Sequence, residues 1–126
     1  MTMPPKNLKA SIFLPSGEIN PENYWARFVY TTVTRYKGKV RVWEIWNEPD
    51  LKDGARNGVY WNGTDDDYMW LLKVAYYVIR YADPSARVSL SGLAYWSDPT
   101  FLPRQLDVIA RDPGAAGRSE EHTSEL

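Results

Sequence analysis

Asn47, Glu48 and Pro49 close the stretch "VWEIWNEPD", Val42 to Asp50. Its apolar part reads as a buried strand, and a strand that only fills a core has no use for an amide and a carboxylate at its tip. A Glu at a strand end, beside Trp46 and a loop rich in Trp and Tyr, is expected to be partly desolvated. Desolvation raises a carboxyl pKa and makes the group a usable proton donor near neutral pH. Asn47 next to it offers both a donor and an acceptor to a substrate hydroxyl. Pro49 restricts the backbone of Glu48 and helps fix its direction. The plainer reading of Glu48 is a surface carboxylate at the start of a loop.

The flanking sequence predicts the elements that hold this tip. Ser11 to Leu14 is compatible with a strand. Asn20-Pro21-Glu22 gives a helix start, with a capping residue, Pro in the first position and an acid in the first turn. Trp25, Phe28, Val29, Thr32, Val33 and Tyr36 follow at helical spacing, and Gly38 is the expected stop. A strand is predicted over Val40 to Trp46. A long polar connection, "PDLKDGARNGVYWNGT", leads to a second helix from about Thr64 to Ala82, ended by "DPSA" because Pro84 cannot continue it. Trp70, Leu71, Val74, Val78 and Tyr81 mark its packed side. A second strand is expected over Arg87 to Leu93. A third helix is expected from about Pro99 to Arg111, with Asp98 as cap and Leu102, Leu106 and Ile109 as its stripe.

Strand and helix alternate, which points to an α/β fold of parallel strands with crossover helices. In such folds the loops after the strands carry the site, at the strands' C-terminal ends. Glu48 occupies such an end, and so do Tyr95 and Trp96. For these two, stacking on a ligand and packing in a core are equally open, as they are for Tyr60 and Trp61. Asp50 and Asp53 lie in a loop that periodicity does not place. The run Asp65-Asp66-Asp67 is better read as charge complementing a helix N-terminus than as a calcium site. "NGT", Asn62 to Thr64, is better read as a turn plus a cap than as a glycosylation acceptor.

Composition narrows the class. The 126 residues are enough for one ordinary domain, and 44% hydrophobic with 25% charged residues argues against a disordered chain. Aromatics, at 14%, are in excess, with six Trp and nine Tyr. There is no Cys, so disulfides and cysteine-bound zinc are excluded, although no compartment follows from that. No apolar run is long enough to cross a bilayer. Net charge is near zero, which makes no case for a nucleic-acid or membrane partner.

The last nine residues, "RSEEHTSEL", Arg118 to Leu126, carry no apolar periodicity and resemble a translated sequencing adapter. They are read as a non-native tail, which leaves residues 1–117 as the domain and removes the single His, His122, from the candidate chemistry. The natural protein is expected to continue past Gly117, and Met1 is equally readable as an internal methionine.

"VWEIWNEPDL", preceded by "RYKGKV" and followed by "YWNGTDDDYMWLLKVAYYVIRYADPSARVSLSGL", resembles the fourth-strand signature of retaining glycoside hydrolases of clan A. It is most similar to family 39-like proteins, the xylosidase and iduronidase relatives, over about Pro21 to Arg111. The resemblance implies a partial (β/α)8 barrel, from about strand 3 to helix 5. It implies hydrolysis of an oligosaccharide or polysaccharide with retention; no cofactor and no metal are expected. Glu48 matches the general acid/base and Asn47 the residue that bonds the sugar 2-hydroxyl, while Tyr95 and Trp96 would line the mouth. The nucleophile would come from the seventh strand, beyond Gly117. Glu44 does not replace it, because four residues of strand put it roughly 13 Å from Glu48, against the about 5–5.5 Å of a retaining pair. The alternatives are a non-catalytic carbohydrate-binding protein on the same scaffold and a structural α/β domain. An unclosed barrel made alone is expected to be marginally stable or to associate.

Overall fold

The computed structural model describes residues 3–52 and 60–112. The expectations for Asp53 and for residues 113–126, the proposed tail included, lie outside the described residues. The elements run α1 (Tyr24–Arg35), β1 (Val42–Ile45), α2 (Asp65–Ala82), β2 (Arg87–Leu90) and α3 (Phe101–Arg111). β1 and β2 pair in parallel, with Val42 opposite Arg87 and Ile45 opposite Leu90, and α2 is the crossover between them. The α/β class with parallel strands is therefore the observed one.

Helix α2 is the centre of the packing. It touches α1, α3 and both strands, and half of its eighteen residues are buried. Its start follows from sequence chemistry. The Thr64 hydroxyl accepts the Asp67 N–H at 3.0 Å, and the Asp67 carboxylate accepts the Thr64 N–H at 3.1 Å, so two otherwise unpaired donors are satisfied together. Asp65 and Asp66 are spoken for as well, by Arg104 and Lys9. Tyr81, expected on the packed side, is 48% exposed, because α2 turns Ala75, Ile79 and Ala82 inward instead. None of the described helices is long and apolar enough to cross a membrane.

Against α2, β1 presents Trp43 and Ile45, and β2 presents Val88 and Leu90. Strand alternation leaves Val42, Glu44, Arg87 and Ser89 on the other face. Both strands are shorter than expected and stop before Trp46 and before Leu93.

Further expectations are corrected. Ser11 to Leu14 is not a strand of the sheet. It folds back on the residues after it, through a single antiparallel bridge between Phe13 and Ile19, with Leu14 N–H on Glu18 O at 2.8 Å. The turn "PSGE", with Gly17 at φ +89°, makes that local pairing available. Helix α1 starts three residues later than expected. Asn20 spends its side chain on Glu22 N–H and Ser11 O, and the buried Asn23 caps α1 by accepting from Ala26 N–H. Asn23 also donates to Leu8 O and Ala10 O and so pins the preceding segment. The buried stripe of α1 is Ala26, Val29 and Val33, whereas Phe28 and Tyr36 face solvent. Finally, α3 begins at Phe101 and buries Phe101, Gln105 and Ile109, leaving Leu106 exposed. Asp98 does not occupy the capping position. Its carboxylate instead accepts from the N–H and hydroxyl of Thr100, two residues on.

Asp98 also receives Arg104, which bridges to Asp65 of α2 and ties α3 to the central helix. The Arg104 guanidinium, then the Thr100 hydroxyl, hold the Asp98 carboxyl down at about 2, from an ordinary 3.8. A depressed native pKa contributes stability that is complete above the unfolded value and is lost as pH falls through the native one. The gap in urea midpoint between wild type and Asp98→Asn is therefore expected to be constant above pH 4 and to close between 3.8 and about 2. A gap that persists at pH 2 would contradict this.

Candidate active site

The tips of β1 and β2 carry the candidate residues. After Ile45 the backbone leaves the extended region twice, at Trp46 (φ +76°) and Glu48 (φ +43°), and after β2 it does so at Tyr95 (φ +60°). Left-handed backbone at a residue with a Cβ costs about 1–2 kcal/mol, and such residues cluster where a site over-determines the chain. Here three of them converge at neighbouring strand ends.

What holds them is a series of cross-links between the two post-strand loops. Gly92 is gripped from both sides. Its N–H donates to the Glu44 carboxylate, and its carbonyl accepts the Glu48 N–H at 2.9 Å. A Cβ at position 92 would stand 3.1 Å from Glu44 Oε1. Asp50 accepts the N–H groups of Ala94 and Tyr95, and Lys52 N–H donates to Ser97 Oγ at 2.9 Å. The two loops thus continue side by side, much as the strands do.

Glu48 is half-buried and Asn47 is exposed, on a turn in which Leu51 N–H returns to Glu48 O at 3.0 Å. Glu44, on the face away from the helices, is exposed and has the Gly92 amide as its partner. Tyr95 and Trp96 are 61% and 65% exposed. Trp61 is the opposite case. It is buried, donates to Thr64 O at 3.1 Å, and stands edge-on to Trp46 and Tyr68. Trp46 in turn donates to Tyr60 O at 2.8 Å and anchors the return of the long loop.

Two residues were not legible as site components. Asp50 is fully buried. Tyr68 of α2 sends its hydroxyl to the base of both tips, donating to Ile45 O at 3.2 Å and sharing a bond with Ser91 Oγ at 3.0 Å. Burial pushes its hydroxyl up to about 12. A Tyr inside an apolar helix face was the available signal, since a buried hydroxyl needs a partner. Among the described residues no group of carboxylates and imidazoles is arranged to hold a metal ion. Concavities of about 460 and 520 Å³ lie on the outer side of α2, around Trp70 and Lys73, and neither is lined by the strand tips.

No family model matches the chain. The chain is 34% identical over 85 residues to endo-1,4-beta-xylanase A of Thermotoga maritima, a match covering 65% of this chain and 7% of that protein. It is 35% identical over 88 residues to a beta-xylosidase of Caldicellulosiruptor saccharolyticus, covering 62% and 17%. It is 38% identical over 64 residues to endo-1,4-beta-xylanase 3 of Hypocrea jecorina, covering 50% and 18%. The chain thus spans less than a fifth of the length of each of these relatives. A solved GH10 endoxylanase retrieved from sugarcane soil metagenome aligns at 22% identity with a TM-score of 0.40, covering 78% of this chain and 29% of that one.

Tyr68→Phe keeps the ring and removes the hydroxyl from Ile45 O and Ser91 Oγ. Leaving these buried partners unsatisfied is expected to cost about 1–3 kcal/mol in urea unfolding. A loss below a few tenths would show that the hydroxyl does not hold the tips.

Proposed function

We propose that this chain is part of a retaining glycoside hydrolase of clan A, a (β/α)8 barrel acting on β-1,4-linked xylose chains. The observation that carries the reading is the strand tip itself: a half-buried Glu48 whose backbone is clamped to the neighbouring strand end, with exposed Tyr95 and Trp96 on that neighbour. Similarity to xylanases and a xylosidase supports the substrate class. β1 and β2 are then the fourth and fifth barrel strands, and the face bearing Glu44 and Ser89 is the barrel interior.

In this mechanism Glu48 first protonates the leaving glycosidic oxygen as general acid. It then deprotonates the water that releases the glycosyl-enzyme intermediate. Asn47 holds the 2-hydroxyl of the sugar under attack. A second Glu, on the seventh strand of the parent and outside this chain, is the nucleophile. Glu44 does not substitute for it, because its carboxylate is engaged by Gly92. The family 39-like assignment and the endo-xylanase relatives predict different products: single xylose released from chain ends, or xylo-oligosaccharides from internal cuts.

The test uses the complete gene. In the full-length enzyme, Glu48→Gln is expected to lower kcat on xylo-oligosaccharides by roughly 10²–10⁴-fold. Aryl xylosides with an acidic leaving group should suffer less in the glycosylation step, because they need no proton. Product analysis separates end-wise from internal cleavage. Full activity in Glu48→Gln would sink the assignment. A gene with no strand-end Glu opposite Glu48 would favour a carbohydrate-binding protein on this scaffold.

A further inference from the structure

Asp50 is the residue on which the aromatic pair at the site mouth depends. Its side chain is fully buried, and each carboxylate oxygen is used: Oδ1 accepts the Ala94 N–H at 2.9 Å and Oδ2 accepts the Tyr95 N–H at 2.5 Å. These two amides lead into a tight turn of the β2 loop. Trp96 N–H closes back on Ala94 O at 2.6 Å, so Tyr95 is the centre of a three-residue turn, at φ +60°. A three-residue turn at positive φ is the rare and strained kind, and nothing about Tyr at its centre favours it. A carboxylate holding both amides does favour it. The outcome of that turn is that Tyr95 and Trp96 project into solvent beside the Glu48 tip.

We propose that Asp50 is a positioning residue that holds Tyr95 and Trp96 as a stacking platform for a pyranose ring of a β-1,4-xylosyl chain. The inference rests on the reading of the tip as a sugar site and adds what sets that platform. The residue type matters. Asn would offer one acceptor and turn an N–H₂ toward a backbone N–H. Glu would carry its oxygens one methylene further into a buried space. The platform side chains supply flat apolar faces, while Asp50 itself touches no substrate.

The experiment is a titration of the ¹⁵N-labelled chain with xylotetraose, read at the Trp96 indole resonance, together with amide exchange of wild type and Asp50→Asn. In wild type the sugar is expected to shift the Trp96 indole. In Asp50→Asn that shift should need about tenfold more sugar or be lost, and the Ala94 and Tyr95 amides should exchange at least about tenfold faster, with Val74 and Val78 unchanged. A purely structural role would lower stability and leave the sugar response of the folded fraction as it was. An unchanged titration in Asp50→Asn overturns the proposal and leaves the hydrolase reading standing. No response of Trp96 in wild type overturns the platform itself, independently of the Glu48→Gln kinetics. If Asp50→Asn does not fold, saturating xylotetraose should slow exchange at Ala94 and Tyr95 in wild type, and unaltered exchange there overturns the proposal.

Discussion

Helix α2 is the element against which each of the other described elements packs, and this constraint organises everything else. Both strands, the helix before them and the helix after them each find their apolar partner on it. Burying a large aliphatic side chain contributes roughly 1.5–3 kcal/mol. Leu71, Leu72, Val74, Val78 and Ile79 therefore supply much of the driving force from one element. Because α2 also reaches the strand ends through Tyr68, the element that fills the core is the one that sets the height of the site above it.

Above that level the logic changes from apolar to polar. The strands end after four residues each, and what continues their pairing is a set of bonds between a side chain or amide of one loop and the backbone of the other. Such bonds are directional, so they fix where a carboxylate points in a way that packing alone does not. Glu44 and Asp50 use their charge on backbone amides, whereas at the same tip Glu48 is half-buried and Asn47 exposed.

The sequence was legible where local chemistry decides. The Thr64 cap, the acidic first turn and Pro84 bracket α2 closely, because each acts on its own neighbours. The start of α1 was displaced because two Asn residues compete there, and burial of Asn23 decides between them. The tips were legible in kind and not in shape. Trp46, Glu48 and Tyr95 are not residue types that signal left-handed backbone. Asp50 could not be placed because its partners stand 44 and 45 residues away. The sorting of the aromatics, with Trp61 inside and Tyr95 and Trp96 outside, also depends on that long-range pairing.

The left-handed Tyr95 has a consequence for how such a chain changes over time. Glycine at this position would relieve the backbone without disturbing the amide that Asp50 holds, so selection on fold alone would welcome it. The same change would strip half of the aromatic pair. On the proposed reading of that pair as a sugar platform, stability and ligand contact pull in opposite directions at a single codon. A lineage released from the need to hold sugar would be expected to drift toward small residues here first, well before its core recorded any loss.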